Sequence, residues 1–483
     1  MILPLTNLSK HADARNDSRL NAMSLSLEYD RGTITLNGLT PTVAPKFDDL
    51  IKWDERINMW RSPASSYPHI LSRLRNGTET FNDHVRSPQA PVSDWSPISL
   101  RSYQESALLA WRAAAGRGII CLPTGAGKTR IALAAAQRSK KSTLCLVPTR
   151  VLLHQWIDSI REHYSGDVGV LGDGHHDVKP ITVATFESAF RNGWTLGNRF
   201  DLLIVDEAHH FGDGERDEAL EACSAPFRLG LSATLDDERL ERLEQLVGPK
   251  VFEQRIDDLV GTALAEFELS CHQLPLTYAE KSAYKLDYDV FRRVFDDFKT
   301  QHSGGQWEDF LREASRTASG RAAIAAHGRA KKHITLTESK MVMLCQLLNR
   351  HSSQRKLVFT SDASSALIIA RQLLLAPITS EIGPAERKSF IEDFRSGAIK
   401  TIVSCKVLNE GFDVPDAEIA IILGGSGSSR EHIQRIGRVL RPKEGKKAHI
   451  YELLAAGTTE IQKSRQNGNK LNQRRYEKYG GDY

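Results

Sequence analysis

Apolar and polar positions change their spacing several times along the 483 residues of the chain, and each change marks a new kind of element. Residues 24–40, SLSLEYDRGTITLNGLT, alternate around Asp30-Arg31-Gly32 and predict a β-hairpin. Between 98 and 255, short apolar runs at 117–122, 142–147, 181–184, 201–205 and 227–231 alternate with stretches of helical spacing. That alternation predicts a parallel sheet covered by helices. From 278 to 335 the strand signal disappears. Tyr284, Tyr288, Phe291, Val294, Phe295 and Phe298 recur at helical spacing, which predicts a helical insertion. A second alternating run follows over 340–455, with apolar runs at 356–360, 401–404, 419–423 and 448–451. The two runs read as two copies of one α/β architecture.

Composition narrows the class. Hydrophobic content of 40% and charged content of 26% fit a globular protein, and the length implies two or three domains. A formal charge of +4 is too small to identify a nucleic-acid partner by itself. The six cysteines are scattered without a Cys-x-x-Cys pair, which argues against a disulfide framework or zinc site and suits a reducing, cytoplasmic setting. No apolar run is long enough to span a bilayer, and the polar residues soon after Met1 argue against a signal peptide. The Pro/Ser-rich stretch near 87–97 reads as a linker after a small N-terminal module. The C-terminal stretch from 462 carries Lys463, Arg465, Lys470, Arg474, Arg475 and Lys478, and reads equally as a solvated tail or a phosphate-binding one.

Chemistry enters at Leu122–Thr129, LPTGAGKT, which follows an apolar run. A strand feeding a Gly-rich turn into a helix presents backbone N–H groups to an anion. Gly125 and Gly127 allow the tight curl, Lys128 would reach the β- and γ-phosphates, and the Thr129 hydroxyl would bind Mg²⁺. Pro123, Thr124 and Ala126 complete the loop, while Leu122 stands where the strict G-x-x-x-x-G-K-[ST] pattern has its first glycine. In DLLIVDEAHH, Asp206 and Glu207 end an apolar strand. The first acid suits Mg²⁺ and the second suits orienting an attacking water. Together the two stretches specify an NTPase. Gln434, Arg435, Arg438 and Arg441 recur every three or four residues and share one helical face.

Four further stretches are LRSYQESALLAW (100–111), GLSATL (230–235), LNEGFDVPD (408–416) and QRIGRVLRP (434–442). With the phosphate loop and Asp206-Glu207-Ala208-His209, they resemble the motif set of superfamily 2 helicases. The resemblance implies two RecA-like domains with ATP and Mg²⁺ in the cleft between them. It implies that Arg101 and Gln104 recognise adenine, and that Ser232, Ala233 and Thr234 couple hydrolysis to domain movement. It implies that Gly411 and Asp413 face the nucleotide from the second domain. Arg438 and Arg441 would approach the γ-phosphate, with Gln434 and Arg435 in support. Thr149, Arg150, Thr185 and Ser404 occupy positions where family members touch the nucleic-acid backbone. His154 and Trp156 read as helix packing.

Within that superfamily, RSYQESALLAW, GIICLPTGAGKT and QRIGRVLRP look most like the XPB helicases of archaea and bacteria. LEYDRGTITLNG and KWDERINMWRSPA resemble their N-terminal damage-recognition module, VGPKVFEQRIDDLVG (247–261) resembles a segment that follows their third motif, and 278–335 lies where they carry a thumb-like element. The expected fold is α/β: two RecA-like parallel-sheet domains, a helical thumb-like insertion and a small N-terminal α+β module. The expected divisions are 1–95, 96–255, 256–339, 340–460 and a basic tail at 461–483. Leu235-Asp236-Asp237-Glu238-Arg239 replaces the family's Arg-Glu-Asp triplet, which weakens the inference of strand separation. The resemblance implies a 3′–5′ DNA helicase or translocase in DNA repair, binding single-stranded or forked DNA; no membrane partner is expected, and a monomer is favoured although the sequence leaves the oligomeric state open. A partner nuclease is a further expectation. A duplex translocase of a restriction or defence system and an RNA helicase are the alternatives; a non-catalytic nucleic-acid scaffold is disfavoured by the intact Lys128, Asp206, Glu207, Arg438 and Arg441.

Overall fold

The computed structural model describes residues 25–40, 43–77, 80–86, 92–214, 216–235, 237–261, 264–302, 305–405, 417–424, 447–468 and 474–478. Among them the predicted hairpin forms, Leu25–Asp30 pairing antiparallel with Thr33–Asn37. Arg31 and Gly32 make its two-residue turn with φ of 46° and 87°, a left-handed pair that matches the twist of the flanking strands. The hairpin belongs to a five-stranded sheet completed by Lys52–Asp54, Met59–Pro63 and Phe81–His84. Tyr67–Arg75 forms a helix in this module, and Ile70 and Leu74 pack with Leu27, Ile34, Leu36 and Phe47 in a small core.

This module is docked on the first lobe. The Tyr29 hydroxyl donates to the carbonyls of Gly193 (2.9 Å) and Ala222 (3.0 Å). Arg86 forms an ion pair with Asp201, and Asn198 donates to the Val85 carbonyl at 3.1 Å.

The first lobe has an eight-stranded sheet, ordered Lys250–Glu253, Arg117–Cys121, Phe227–Ser232, Leu202–Val205, Thr143–Val147, Ile181–Thr185, Val168–Gly172, His175–Asp177. Only the last pairing is antiparallel. The five predicted strands are its centre. They read clearly because helices cover both faces, so nearly every position is apolar. The strands at the two edges are short or polar and give no such signal.

The second sheet is wholly parallel, ordered Ala376–Ile378, Thr401–Ser404, Lys356–Phe359, Ile419–Leu423, Lys447–Ala455, Glu266–Leu274, Arg474–Lys478. It takes one strand from ahead of the helical insertion and another from the C-terminal stretch. The described part of that stretch is therefore folded rather than a solvated tail: helix Thr459–Gly468, then an edge strand pairing Arg474–Lys478 with Leu269–Gln273.

The insertion is helical as expected, with helices Tyr278–Gln301, Trp307–Ala314 and Ala318–Thr335. Phe291, Phe298 and Phe310 form its core, with Phe295 and Trp307 against them. Its base is held by the buried Lys340, whose Nζ donates to the Ile334 carbonyl (2.6 Å) and to Glu460 (2.7 Å). None of the described helices is long and apolar enough to cross a membrane.

Candidate nucleotide site and nucleic-acid face

Strand Arg117–Cys121 runs into the loop 122–127, and helix Lys128–Ser139 starts directly after it. Leu122 is fully buried in the hydrophobic core, and its N–H donates to the Ser232 carbonyl at 3.0 Å. The position that departs from the strict motif thus still extends the strand, and its side chain stabilises the core. The curl comes afterwards, where Gly125 and Gly127 have φ of 89° and 76°. The backbone angle favours glycine at 127, and a Cβ there would also lie 2.5 Å from Gln104 Nε2 and push that side chain aside.

Helix Ser102–Ala113 clamps this loop. Tyr103 Oη and Gln104 Nε2 both donate to the Ala126 carbonyl, at 2.7 and 3.0 Å. Gln104 Oε1 accepts from the Arg101 N–H at 3.0 Å, closing the helix N-terminus. Ser99, Leu100, Arg101, Gln104, Gly125–Gly127 and Arg130 line a cavity of about 350 Å³. The two residues expected at adenine therefore lie beside the phosphate loop, and Arg130 joins them.

The loop also fits a polyanion. The Thr124 hydroxyl is buried with no partner among the described residues. Lys128 is nearly buried, and its Nζ donates to the carbonyls of Leu122 (3.1 Å) and Pro123 (3.5 Å). A buried ammonium and an unused hydroxyl beside a glycine curl suit a phosphate, because a buried polar group without a partner is costly.

Asp206 follows the buried strand Leu202–Val205 and is itself buried. Its Oδ2 accepts from Trp156 Nε1 at 2.9 Å, and its Oδ1 accepts from the Glu207 N–H at 3.0 Å. Burial pushes the carboxyl upward in pKa, while the Trp156 bond and the Lys128 charge oppose that shift. Trp156 is buried as the sequence reading expected, but it also holds this acid. Glu207 has a φ of 50°, a left-handed conformation unusual for a glutamate.

His209 joins the acid pair to the coupling segment. Its Nδ1 lies 3.0 Å from Ser232 Oγ and 3.3 Å from Glu207 Oε2. The Ser232 hydroxyl donates to the Thr234 carbonyl at 2.6 Å, across a half-buried Ala233. Thr129 occupies the second position of the helix that Lys128 begins. Gly411, Asp413, Gln434, Arg435, Arg438, Arg441 and Asp236 lie outside the described residues.

The residues expected at the strand backbone differ in setting. Thr149 caps helix Arg150–Arg161, accepting from the Leu152 N–H at 3.3 Å. Thr185 caps helix Phe186–Leu196, accepting from the Ser188 N–H at 3.2 Å. Ser404 is buried, and its hydroxyl donates to the Ile378 carbonyl at 2.8 Å. Arg150 is open to solvent. His154, expected to pack its helix, instead projects outward and bonds Asp173 at 2.9 Å.

Sequence reasoning missed Tyr103, Arg130, Trp156 and His209 as members of the site. Two of them stood inside quoted motifs, Tyr103 in LRSYQESALLAW and His209 in Asp206-Glu207-Ala208-His209. The others act through contacts with distant segments.

Family models match three parts of the chain. The Type III restriction enzyme, res subunit, covers residues 97–237, and the helicase conserved C-terminal domain covers 339–443. The Xeroderma pigmentosum group B helicase damage recognition domain covers 27–85. DNA 3'-5' translocase XPB2 of Sulfurisphaera tokodaii is 33% identical over 447 residues, covering 91% of this chain and 98% of that relative. DNA 3'-5' helicase XPB of Kineococcus radiotolerans is 29% identical over 377 residues, covering 74% of this chain but only 60% of that relative. Yeast Dbp5 bound to RNA and ADP BeF3 is similar in fold, with a TM-score of 0.55 and 15% identity over 78% of this chain and 89% of that one.

Proposed function

The chain belongs to the XPB family of superfamily 2 helicases, and we propose that it is an ATP-driven motor that moves 3′ to 5′ on DNA during nucleotide excision repair. One observation supports the motor reading above the rest. The phosphate loop, the acid pair and the coupling segment meet at Ser232, through the Leu122 N–H on its carbonyl and His209 on its hydroxyl. With the Ser232 hydroxyl on the Thr234 carbonyl as a third contact, a change at the phosphates can reach a segment leading away from the site.

Bound ATP with Mg²⁺ supplies the phosphoryl group whose transfer drives the cycle. Lys128 binds the β- and γ-phosphates, and Thr129 and Asp206 hold the metal. Glu207 orients the attacking water. Arg101 and Gln104 bind adenine, assisted by the loop from Pro123 to Gly127. Gly411 and Asp413 are assigned to the nucleotide from the family resemblance alone. Arg438 and Arg441 are assigned from the family resemblance to the γ-phosphate, with Gln434 and Arg435 in support, so that guanidinium charge from the second lobe would make hydrolysis require closure. Thr149, Arg150, Thr185 and Ser404 position the DNA backbone without reading its sequence. The protein acts as a cytoplasmic monomer, with cutting left to a partner nuclease.

A second reading, a duplex translocase that never separates strands, is supported by the restriction-subunit match over 97–237. The altered segment around Leu235 and Arg239 also favours it. ATP hydrolysis measured with single-stranded DNA, duplex, fork and RNA separates these readings. A DNA helicase is expected to respond most to the fork or single strand, and a pure duplex translocase to duplex. Strongest stimulation by RNA, or equal rates with all four, would reject the DNA-motor proposal.

A further inference from the structure

Helix Arg150–Arg161 begins beside a hairpin formed by Val168–Gly172 and His175–Asp177. Only Asp173 and Gly174 connect the two strands, with φ of 51° and 82°. Asp-Gly favours this two-residue mirror-image turn. The turn carries the Asp173 carboxylate to the first helical turn. There Oδ2 lies 2.9 Å from His154 Nε2, and Oδ1 lies 3.4 Å from Arg150 Nη1. Arg150 and His154 are four residues apart, so they share one helix face. The His154 bond, followed by the charges of Arg150 and His175, holds the Asp173 carboxyl below its ordinary pKa.

This arrangement is open to a ligand. The Arg150, His154 and Asp173 side chains are 75%, 54% and 38% exposed. Exposed ion pairs add little stability, so the cluster is a weak explanation of the fold. Its donors are nevertheless those that bind a phosphodiester oxygen, since a guanidinium forms short charge-assisted bonds to oxyanions and an imidazole N–H donates to them. An anion at the start of a helix is also favoured by the helix dipole.

We propose that Arg150 and His154 form a phosphate-binding pair for a nucleic-acid backbone, and that Asp173 is its internal competitor, displaced when a strand binds. The inference rests on reading Arg150 as a backbone contact. It adds His154 as a second phosphate ligand and gives the Asp173 turn a role. While Asp173 holds the pair, only the released fraction of molecules is competent, so apparent affinity falls by that fraction. Strand binding then frees the Asp173-Gly174 tip of the hairpin.

Asp173→Asn tests this in the full chain, because Asn-Gly keeps the same turn and removes the charge. The readout is binding of fluorescent single-stranded DNA at low salt without nucleotide. Binding is expected to tighten about two- to fivefold, the range open to an exposed ion pair. Asp177→Asn, on the same hairpin, controls for the general loss of negative charge and should tighten binding distinctly less. The gain from Asp173→Asn should vanish when Arg150 and His154 are both alanine. Equal tightening by the two Asn variants, or a gain that survives the double alanine background, would overturn the competitor. So would no tightening by Asp173→Asn while Arg150→Ala weakens binding. Arg150→Ala should weaken binding and reduce the salt slope by about one. If it changes neither, the underlying reading of Arg150 fails instead.

Discussion

Lys128→Ala is expected to abolish ATP hydrolysis, with turnover falling by about 10²–10³-fold or more, the scale set by losing one preorganised charge at a reacting phosphoryl group. The Lys128 side chain is nearly buried and donates to two carbonyls of its own loop. Alanine therefore removes the one described ammonium held inside the glycine curl, while the Pro123 carbonyl keeps the Ala126 N–H at 3.2 Å. DNA binding should persist, because the residues proposed at the DNA backbone, Thr149, Arg150 and Thr185, stand on other elements. Phosphate release and anisotropy with labelled single-stranded DNA measure the two effects separately. Full hydrolysis in the variant would remove the phosphate assignment.

Glu207→Gln is expected to bind ATP with affinity near that of the parent, yet turn it over about 10²–10⁴-fold more slowly, the usual contribution of a positioned acid–base group. The substitution keeps size and hydrogen-bonding capacity while deleting the negative charge. It also retains the residue type's demands on a backbone held at φ 50°, so folding should be unaffected. The nearby His209 Nδ1, 3.3 Å from Glu207 Oε2, loses a charged partner, and its 3.0 Å contact with Ser232 should persist. Nucleotide affinity and single-turnover hydrolysis distinguish a chemical defect from a binding defect. Unchanged turnover would contradict the role given to Glu207, whereas lost ATP binding would make it a structural residue.

The sequence made the centre of each sheet legible and its margins obscure. Thr143–Val147 and Ile419–Leu423 are buried throughout, so an unbroken apolar run reports them. Glu266–Leu274 carries Glu, His and Gln within its span and pairs with Lys447–Ala455, far away in the chain. No local pattern announces such a parallel pairing. His175–Asp177 is polar because it is an exposed edge. At the candidate site, Gly125, Gly127, Lys128, Asp206 and Glu207 could be proposed from the sequence because each residue type at that spacing suits a phosphate or a metal by its own chemistry. Trp156 was legible only as packing, since the carboxylate it supports lies fifty residues on. Leu122 shows the opposite limit. It broke the strict motif, and burial at the end of a core strand explains why the loop still forms.

Hydrolysis at Lys128 and Glu207 is proposed to drive movement along DNA. Release of a labelled third strand from a DNA triplex tests it most directly, because movement is read without requiring the duplex to open. The parent protein is predicted to release the third strand when ATP is supplied, and Lys128→Ala to leave it in place. Full DNA-stimulated hydrolysis by the parent protein, with every third strand still bound, would contradict the account.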